Sequence, residues 1–338
     1  MFLDYLKRII ARENLNEDQM AEMMNEIFSG QCTDAQIGAF MAALATKGET
    51  FAELAGAARA MRKKALRLEI PAATLVDIVG TGGDSAHTFN ISTTTAFVVA
   101  GCGVPVAKHG NRAVSSKCGS ADVLEALGVN LNLPPELVEE AVMEIGIGFL
   151  FAPLYHKAMK YAATARKEIG LRSIFNMLGP LTNPAAANCM LLGVFSAGLT
   201  EMFANALKLL GAKRAFVVHG HDGLDEITVC AKTRVSELAN GAIQTYDISP
   251  ESYFGGLAPP EMLKGGDVDE NAGITQRILA GEPGPRRNVV LFNAAAALLC
   301  AGKATDLRTG IQLAETAIDT GAAAQKLNDL IRFTNENA

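Results

Sequence analysis

Through roughly the first 65 residues, apolar positions recur at helical spacing, and Met20, Met23, Met24 and Ile27 share one face of a predicted helix. Three helix starts carry capping boxes: Asn16 with Gln19, Thr33 with Gln36, and Thr50 with Glu53. Gly30 and Gly48 supply stop signals. A methionine stripe of this kind predicts core or subunit interface rather than chemistry. From Leu75 the pattern changes to short apolar runs alternating with helical periods. It predicts strands over 75–79 and 104–107, helices over 90–100, 120–127 and 135–145, and then the apolar stretch 148–151. Further strands fall at 190–194 and 215–219, separated by a helix near 199–210. Such alternation predicts a mainly parallel sheet covered by helices. Segments 228–235 and 242–246 read as an antiparallel excursion. Segment 249–267, with four glycines and three prolines, reads as a long surface connection, and helices return at 272–279, 287–301, 306–320 and 322–334.

Composition adds limits. A chain of 338 residues, 49% hydrophobic and 20% charged, is long enough for more than one domain. With 30 Lys and Arg against 36 Asp and Glu, the net charge of −6 argues against broad nucleic-acid binding. The six cysteines are scattered without a C-x-x-C pair and read as reduced thiols of a cytoplasmic protein. Residues 1–10 hold Asp4, Lys7 and Arg8 and read as neither signal peptide nor anchor, and no apolar run reaches membrane-spanning length.

The chemistry is concentrated between Asp77 and Gly128. The first predicted strand ends in Gly80-Thr81-Gly82-Gly83-Asp84, and Asn90-Ile91-Ser92-Thr93 opens the helix that follows. The second delivers Lys108-His109-Gly110-Asn111-Arg112-Ala113-Val114-Ser115-Ser116-Lys117-Cys118-Gly119-Ser120. Glycine lets backbone N–H groups approach an anion, and a helix N-terminus adds a favourable dipole. Two such loops, one with three cations, suit a polyanionic, phosphate-rich ligand. The common nucleotide loops do not fit: the third glycine position after Gly80 and Gly82 holds Ser85, and no Gly-Lys pair has Walker spacing. Farther on, Asp225 and Glu226 are adjacent acids in a glycine-containing loop after a strand. Hard carboxylate oxygens of this kind suit Mg²⁺, although two solvated loop acids would look the same in isolation.

These segments, together with Ala165-Arg166-Lys167-Glu168, residues Asn176 to Pro184, His219 to Glu226 and Asn293 to Leu298, run in the order found in one family. The chain resembles the anthranilate phosphoribosyltransferases of tryptophan biosynthesis over nearly its whole length. The resemblance implies an α/β fold of the nucleoside-phosphorylase-like kind, with a small helical N-terminal domain and a large α/β domain with a mainly parallel sheet. It places residues 1–70 in the small domain, joined by helices from about 159–180, and 71–158 with 181–338 in the large one. It implies transfer of the phosphoribosyl group of 5-phosphoribosyl 1-diphosphate to the amine of anthranilate. The transition state should have oxocarbenium character, and no protein nucleophile is required.

Carried over by position, the phosphoribosyl diphosphate contacts are Gly80, Gly83, Asp84, Thr88, Asn90, Ile91, Ser92, Thr93, Lys108, His109, Gly110, Asn111, Arg112, Ala113, Val114, Ser115, Ser116 and Ser120. Anthranilate would meet Gly80, Asn111 and Arg166, the last through a bidentate bond to its carboxylate. Mg²⁺ would be held by Ser92, Asp225 and Glu226, although the hydroxyl of Ser92 is also placed to start a helix, a role Asn90 can fill instead. His109 is the candidate proton acceptor or positioner, and Arg112 a ligand contact in place of a surface cation. The resemblance further implies a homodimer through the helical domain and no nucleic-acid or membrane partner. It says nothing of an association with anthranilate synthase. Two other readings compete: a pyrimidine nucleoside phosphorylase, whose phosphate loop differs and which does not need the acidic pair, and a non-enzymatic nucleic-acid-binding relative, which the acidic charge disfavours.

Overall fold

The computed structural model describes residues 1–84, 86–113 and 117–337. Four helices open the chain: α1 (Phe2–Ile10), α2 (Glu17–Phe28), α3 (Asp34–Lys47) and α4 (Phe51–Lys64). All three expected capping boxes form, with Asn16, Thr33 and Thr50 each accepting from the backbone N–H three residues on. The methionine stripe is core, since Met20, Met23 and Met24 are fully buried between α2 and its neighbours. Glu53 does more than complete a capping box. Its buried carboxylate also accepts from Leu15 N–H at 2.9 Å and from the Lys47 ammonium at 2.9 Å. A side chain that satisfies the entry to α4 thereby ties down the start of α2 and the end of α3.

The remainder is built on one seven-stranded sheet. Its strands are β1 (Val76–Gly80), β2 (Val106–Gly110), β3 (Ile147–Phe151), β4 (Cys189–Gly193), β5 (Arg214–Gly220), β6 (Thr233–Ala239) and β7 (Ala242–Ile248). The order is β3-β2-β1-β4-β5-β6-β7, parallel from β3 to β5 and antiparallel from β5 to β7. The chain runs from β1 outward through β2 to β3, then returns to the other side of β1 as β4. The strand order therefore reverses between β1 and β4, the place where open α/β sheets bind ligands at their carboxyl edge. Helix α5 (Ile91–Gly101) begins at that edge.

Both sheet faces are covered, as the near-continuous apolar strands require. Val76, Ile78 and Leu191 belong to a core shared with α5 and with helices Pro285–Cys300 and Leu307–Asp319. Met190, Leu192, Ala215 and Val217 point the other way into a core continuous with the N-terminal bundle. Helix Lys160–Ile169 packs on α2 and α3, and helix Ile174–Leu178 packs on α3 and α4. Among the described residues no helix is long and apolar enough to cross a membrane.

One element differs from the sequence expectation. The segment 228–232 alternates like a strand but is a loop, and β6 starts only at Thr233. The Thr228 hydroxyl donates to Asp222 and accepts from Cys230 N–H at 3.0 Å, while Thr228 N–H donates to the Thr233 hydroxyl. Local side-chain bonds of this kind take backbone groups out of a ladder. The surface connection after residue 249 also contains a one-turn helix, Glu251–Phe254.

The buried Glu53–Lys47 pair generates a test of the bundle. Glu53→Ala leaves an ammonium and the Leu15 N–H without their partner, which is expected to destabilise the protein by about 3–5 kcal/mol. Urea denaturation measures this. A loss below about 1 kcal/mol, the range of exposed pairs, would show that solvent reaches Lys47 freely.

Candidate active site at the carboxyl edge of the sheet

The loop after β5 lies directly across the ends of β1 and β4. A Cβ on Gly193 would overlap the Asp225 carbonyl oxygen, and one on Gly80 would sit 2.5 Å from Asp225 Oδ2. Only glycine fits at Gly193, and a side chain at Gly80 would have to displace the Asp225 carboxylate. The Asp225 carboxylate accepts from Gly82 N–H at 2.7 Å, so the acidic loop and the glycine loop hold each other. Asn293, fully buried in helix Pro285–Cys300, fixes the next turn: it accepts from Ile227 N–H at 3.0 Å and donates to Ile227 O at 2.8 Å.

Asp84, Asp225 and Glu226 face one another at this junction. Burial, and then the charges of Asp84 and Glu226, push the Asp225 carboxyl well above the usual range. Burial likewise pushes Glu226 up to about 7, although the Ser92 hydroxyl donates to it and Lys108 opposes the shift. Lys108 is buried, donates from Nζ to Ile78 O at 2.6 Å, and has its ammonium pKa lowered by burial against the pull of Asp77 and Glu226. Crowded carboxylates whose charge is disfavoured are relieved by a cation. Among the described residues no three His, Cys, Asp or Glu side chains close a metal shell by themselves. A donor set of two carboxylates and the Ser92 hydroxyl instead fits a hard ion that keeps waters and takes substrate oxygens, as Mg²⁺ does.

The two anion loops differ in how far they are committed. Helix α5 starts without a side-chain cap. The cap expected of Asn90 does not form, because its amide donates to Cys118 O at 3.3 Å and accepts from Asn271 Nδ2 at 3.2 Å. The first turn, with Ile91, Ser92 and Thr93, thus presents N–H groups suited to an anion. Thr88 sits just ahead, bridged to Lys264. In the second loop Asp122 accepts from Ala113 N–H at 2.9 Å and Gly119 N–H at 2.8 Å. The Ser120 hydroxyl donates to Asn111 O, and Gly110 fits tightly against Ser120 and Phe149. The Arg112 guanidinium pairs with Asp122 and Glu125 and lies over Phe151, so here its charge is met within the protein and not left free for a ligand. Val114, Ser115 and Ser116 fall outside the described residues.

Arg166 is half-buried on helix Lys160–Ile169, with its guanidinium 5.7 Å from the Phe175 ring centroid. Burial lowers its pKa, and no acid pairs with it among the described residues. His109 is buried: Nδ1 lies 3.1 Å from Gly179 O, Nε2 has no hydrogen-bond partner among the described residues, and the ring packs on His156. Burial, with His156 adding to it, lowers His109 to about 3. A base that weak is poorly suited to accept a proton at neutral pH, and its placement favours a positioning role. His219 bonds Val194 O and His221 pairs with Asp247, so neither turns toward the acids.

Sequence reasoning overlooked several contributors. Asp77, fully buried on β1, accepts from His109 N–H at 3.1 Å and from Asn183 Nδ2 at 2.8 Å, which anchors the start of the second loop. Its signal was a lone acid inside an apolar strand. Asn271 ties Asn90 to Gly266, and Arg172 contacts Gly83.

Comparison with known proteins defines the class of this fold. The model of the glycosyl transferase family a/b domain matches residues 72–324, and that of its helical bundle domain matches residues 3–65. A helical bundle joined to an α/β domain whose anion loops meet an acidic pair at the switch point is thus a glycosyltransferase of this class. The anthranilate phosphoribosyltransferase of Desulfosudis oleivorans is 68% identical over 338 residues, covering 100% of both chains. The solved structure of the Thermus thermophilus anthranilate phosphoribosyltransferase superposes with a TM-score of 0.93 at 44% identity, covering 98% of this chain and 99% of that one. The Saccharomyces cerevisiae enzyme, solved in complex with PRPP and Mg, gives 0.91 at 28% identity, covering 99% and 98%. The chain belongs to the anthranilate phosphoribosyltransferase family.

Asp77 generates a pH prediction. Burial raises its carboxyl from 3.8 to about 6 despite Lys108 and three hydrogen bonds, from Asn183 and the backbone of His109 and Ile78. Between those pH values the folded protein keeps a proton that the unfolded chain has released. This group therefore makes stability fall as pH rises through that window, with a slope approaching about 1.4 kcal/mol per pH unit. Asp77→Asn should remove that component. Urea titrations of both proteins across the window check it, and parallel pH dependences would show that Asp77 is already ionised.

Proposed function

We propose that this chain joins anthranilate to 5-phosphoribosyl 1-diphosphate at the β1–β4 switch point, giving N-(5-phosphoribosyl)anthranilate and diphosphate. The observation that carries the reading is the convergence there of an uncapped helix start, a glycine loop and a set of mutually repelling acids. In the reaction the bond from the anomeric carbon to diphosphate breaks, the bond to the anthranilate nitrogen forms, and the amine loses a proton. The protein's tasks are to stabilise the leaving diphosphate, align the amine and exclude water.

The donor takes the N–H groups of Ile91, Ser92 and Thr93, the backbone of Gly80 and Gly83, and the loop Gly110–Ala113 with Ser120. Asp225, Glu226 and Ser92, with Asp84 beside them, would hold Mg²⁺, which when bound supplies charge neutralisation to the diphosphate oxygens. Lys108 holds Glu226 and the end of β1 in place from beneath. Arg166, a half-buried guanidinium without an acid partner among the described residues, takes the anthranilate carboxylate as a planar two-bond fork. His109 and Gly179 brace the wall between the second loop and the connecting helices. The division into a small domain of 1–70 with the 159–180 helices, a homodimer through the bundle and a cytoplasmic location complete this reading.

The direct experiment mixes protein, anthranilate, phosphoribosyl diphosphate and Mg²⁺ and follows the loss of anthranilate fluorescence. No loss with fresh substrates, or full turnover after chelation, would overturn the reaction or the metal respectively. Asp225→Asn with Glu226→Gln is expected to weaken Mg²⁺-dependent donor binding about tenfold or more, since charge-assisted contacts are worth about 1.5–3 kcal/mol. Unchanged magnesium dependence would return these acids to the role of solvated loop residues. Arg166→Ala is expected to raise the anthranilate KM about tenfold or more while moving the donor KM much less, with Arg166→Lys recovering part. Equal losses for both substrates would make Arg166 a support of the connecting helices instead.

A further inference from the structure

The connector that carries Arg166 touches the donor loop at one further place. Six residues past Arg166, between helices Lys160–Ile169 and Ile174–Leu178, Arg172 reaches across to the sheet edge. Its Nη2 donates to Gly83 O at 3.0 Å, and its guanidinium stacks 3.8 Å from the centroid of the Phe195 ring. Phe195, just past the end of β4, is itself bound to the same loop, because its N–H donates to the Thr81 hydroxyl at 3.1 Å. Thr81 N–H in turn donates to Gly193 O at 2.9 Å. The circuit is closed: connector to Gly83, connector to Phe195, Phe195 back to Thr81. No acid pairs with Arg172 among the described residues, so these two contacts are what hold the side chain. Gly83 has a φ of +76° and a Cβ there would overlap Arg172 Nη2, so the loop's left-handed turn leaves the space that the guanidinium fills.

We propose that Arg172 is a positioning residue that clamps the donor loop from the acceptor-bearing connector, so that binding of either substrate favours binding of the other. The contact is small, one charge-assisted hydrogen bond and one cation–π stack, but it joins the two segments that the two substrates order. Whatever fixes the connector through Arg166 also presents Arg172 to Gly83, and whatever fixes the glycine loop presents Gly83 to Arg172. Such coupling is reciprocal by linkage. The inference rests on the reading of Gly80–Thr93 as donor loop and Arg166 as acceptor contact.

The test is equilibrium binding of phosphoribosyl diphosphate with Mg²⁺, in the presence and absence of benzoate, which keeps the acceptor carboxylate but has no amine to react, together with steady-state kinetics with anthranilate. Arg172→Ala is expected to raise the donor KM about threefold to tenfold, the range of one net hydrogen bond, with kcat at saturation changing less. The ratio of donor affinities with and without benzoate should fall toward one. Phe195→Leu, which keeps the hydrogen bond and removes the stack, should move both quantities in the same direction by less. Arg172→Lys should recover part of the donor KM, because an ammonium reaches the carbonyl without the planar stack. If Arg172→Ala fails to fold, the Leu and Lys variants carry the same comparison. An unchanged donor KM, or an affinity ratio equal to the wild type's, overturns the clamp. Wild-type protein that shows no Mg²⁺-dependent donor binding overturns the donor-site reading and the clamp together.

Discussion

The structure depends on the close passage of the loop after β5 over the ends of β1 and β4. The main chain at Asp225 comes so near Gly193 that any side chain there would overlap it, and the Asp225 carboxylate lies close over Gly80. That approach places a carboxylate against Gly82 N–H and brings Glu226 under the Ser92 hydroxyl. It also creates the electrostatic problem of the site, since three acids share one region and Lys108 offsets the charge of Glu226. Elements distant in sequence maintain the arrangement: Asn293 pins the acidic loop from behind, and Asp77 with Asn183 pins the base of the second anion loop.

The two hydrophobic cores give this edge different neighbours on its two sides. Helices packed on one face of the sheet support α5, whose first turn brings Ser92 to Glu226. The other face is continuous with the N-terminal bundle and with the helix that carries Arg166. The helix that carries Arg166 therefore hangs from the bundle, while the glycine loop and α5 belong to the sheet. Contacts between them, such as those of Arg172 and His109, are local and polar, the kind that small rearrangements can make or break without disturbing either core.

Not every charge at the site is available to a ligand. Arg112 is occupied by Asp122 and Glu125, and Lys108 lies beneath the acids with its ammonium on a backbone carbonyl. The open donors are mainly backbone N–H groups at a helix start. Partial charges of this kind are fixed in direction and need no side-chain ordering when an anion arrives, which suits stabilisation of a leaving diphosphate.

Local signals in the chain were enough to define the helical start, the alternation of strands and helices, and the two anion loops. Capping boxes act within one turn, and apolar periodicity reports which face is buried, so both are legible from neighbours in sequence. The Asp225-Glu226 pair and Arg166 stood out through ordered motifs along the chain. What the residues in order did not reveal depends on side-chain bonds, some within a few residues and some between distant segments. The strand-like 228–232 is a loop because hydroxyls satisfy its backbone, and Asn90 is drawn away from its helix by Asn271, far along the chain. Arg112 meets acids that helical packing brings beneath it. Gly80 read as part of a glycine-rich turn and Gly193 lay within a predicted strand, whereas in the fold the loop after β5 passes over both, a constraint that exists only once the sheet is assembled.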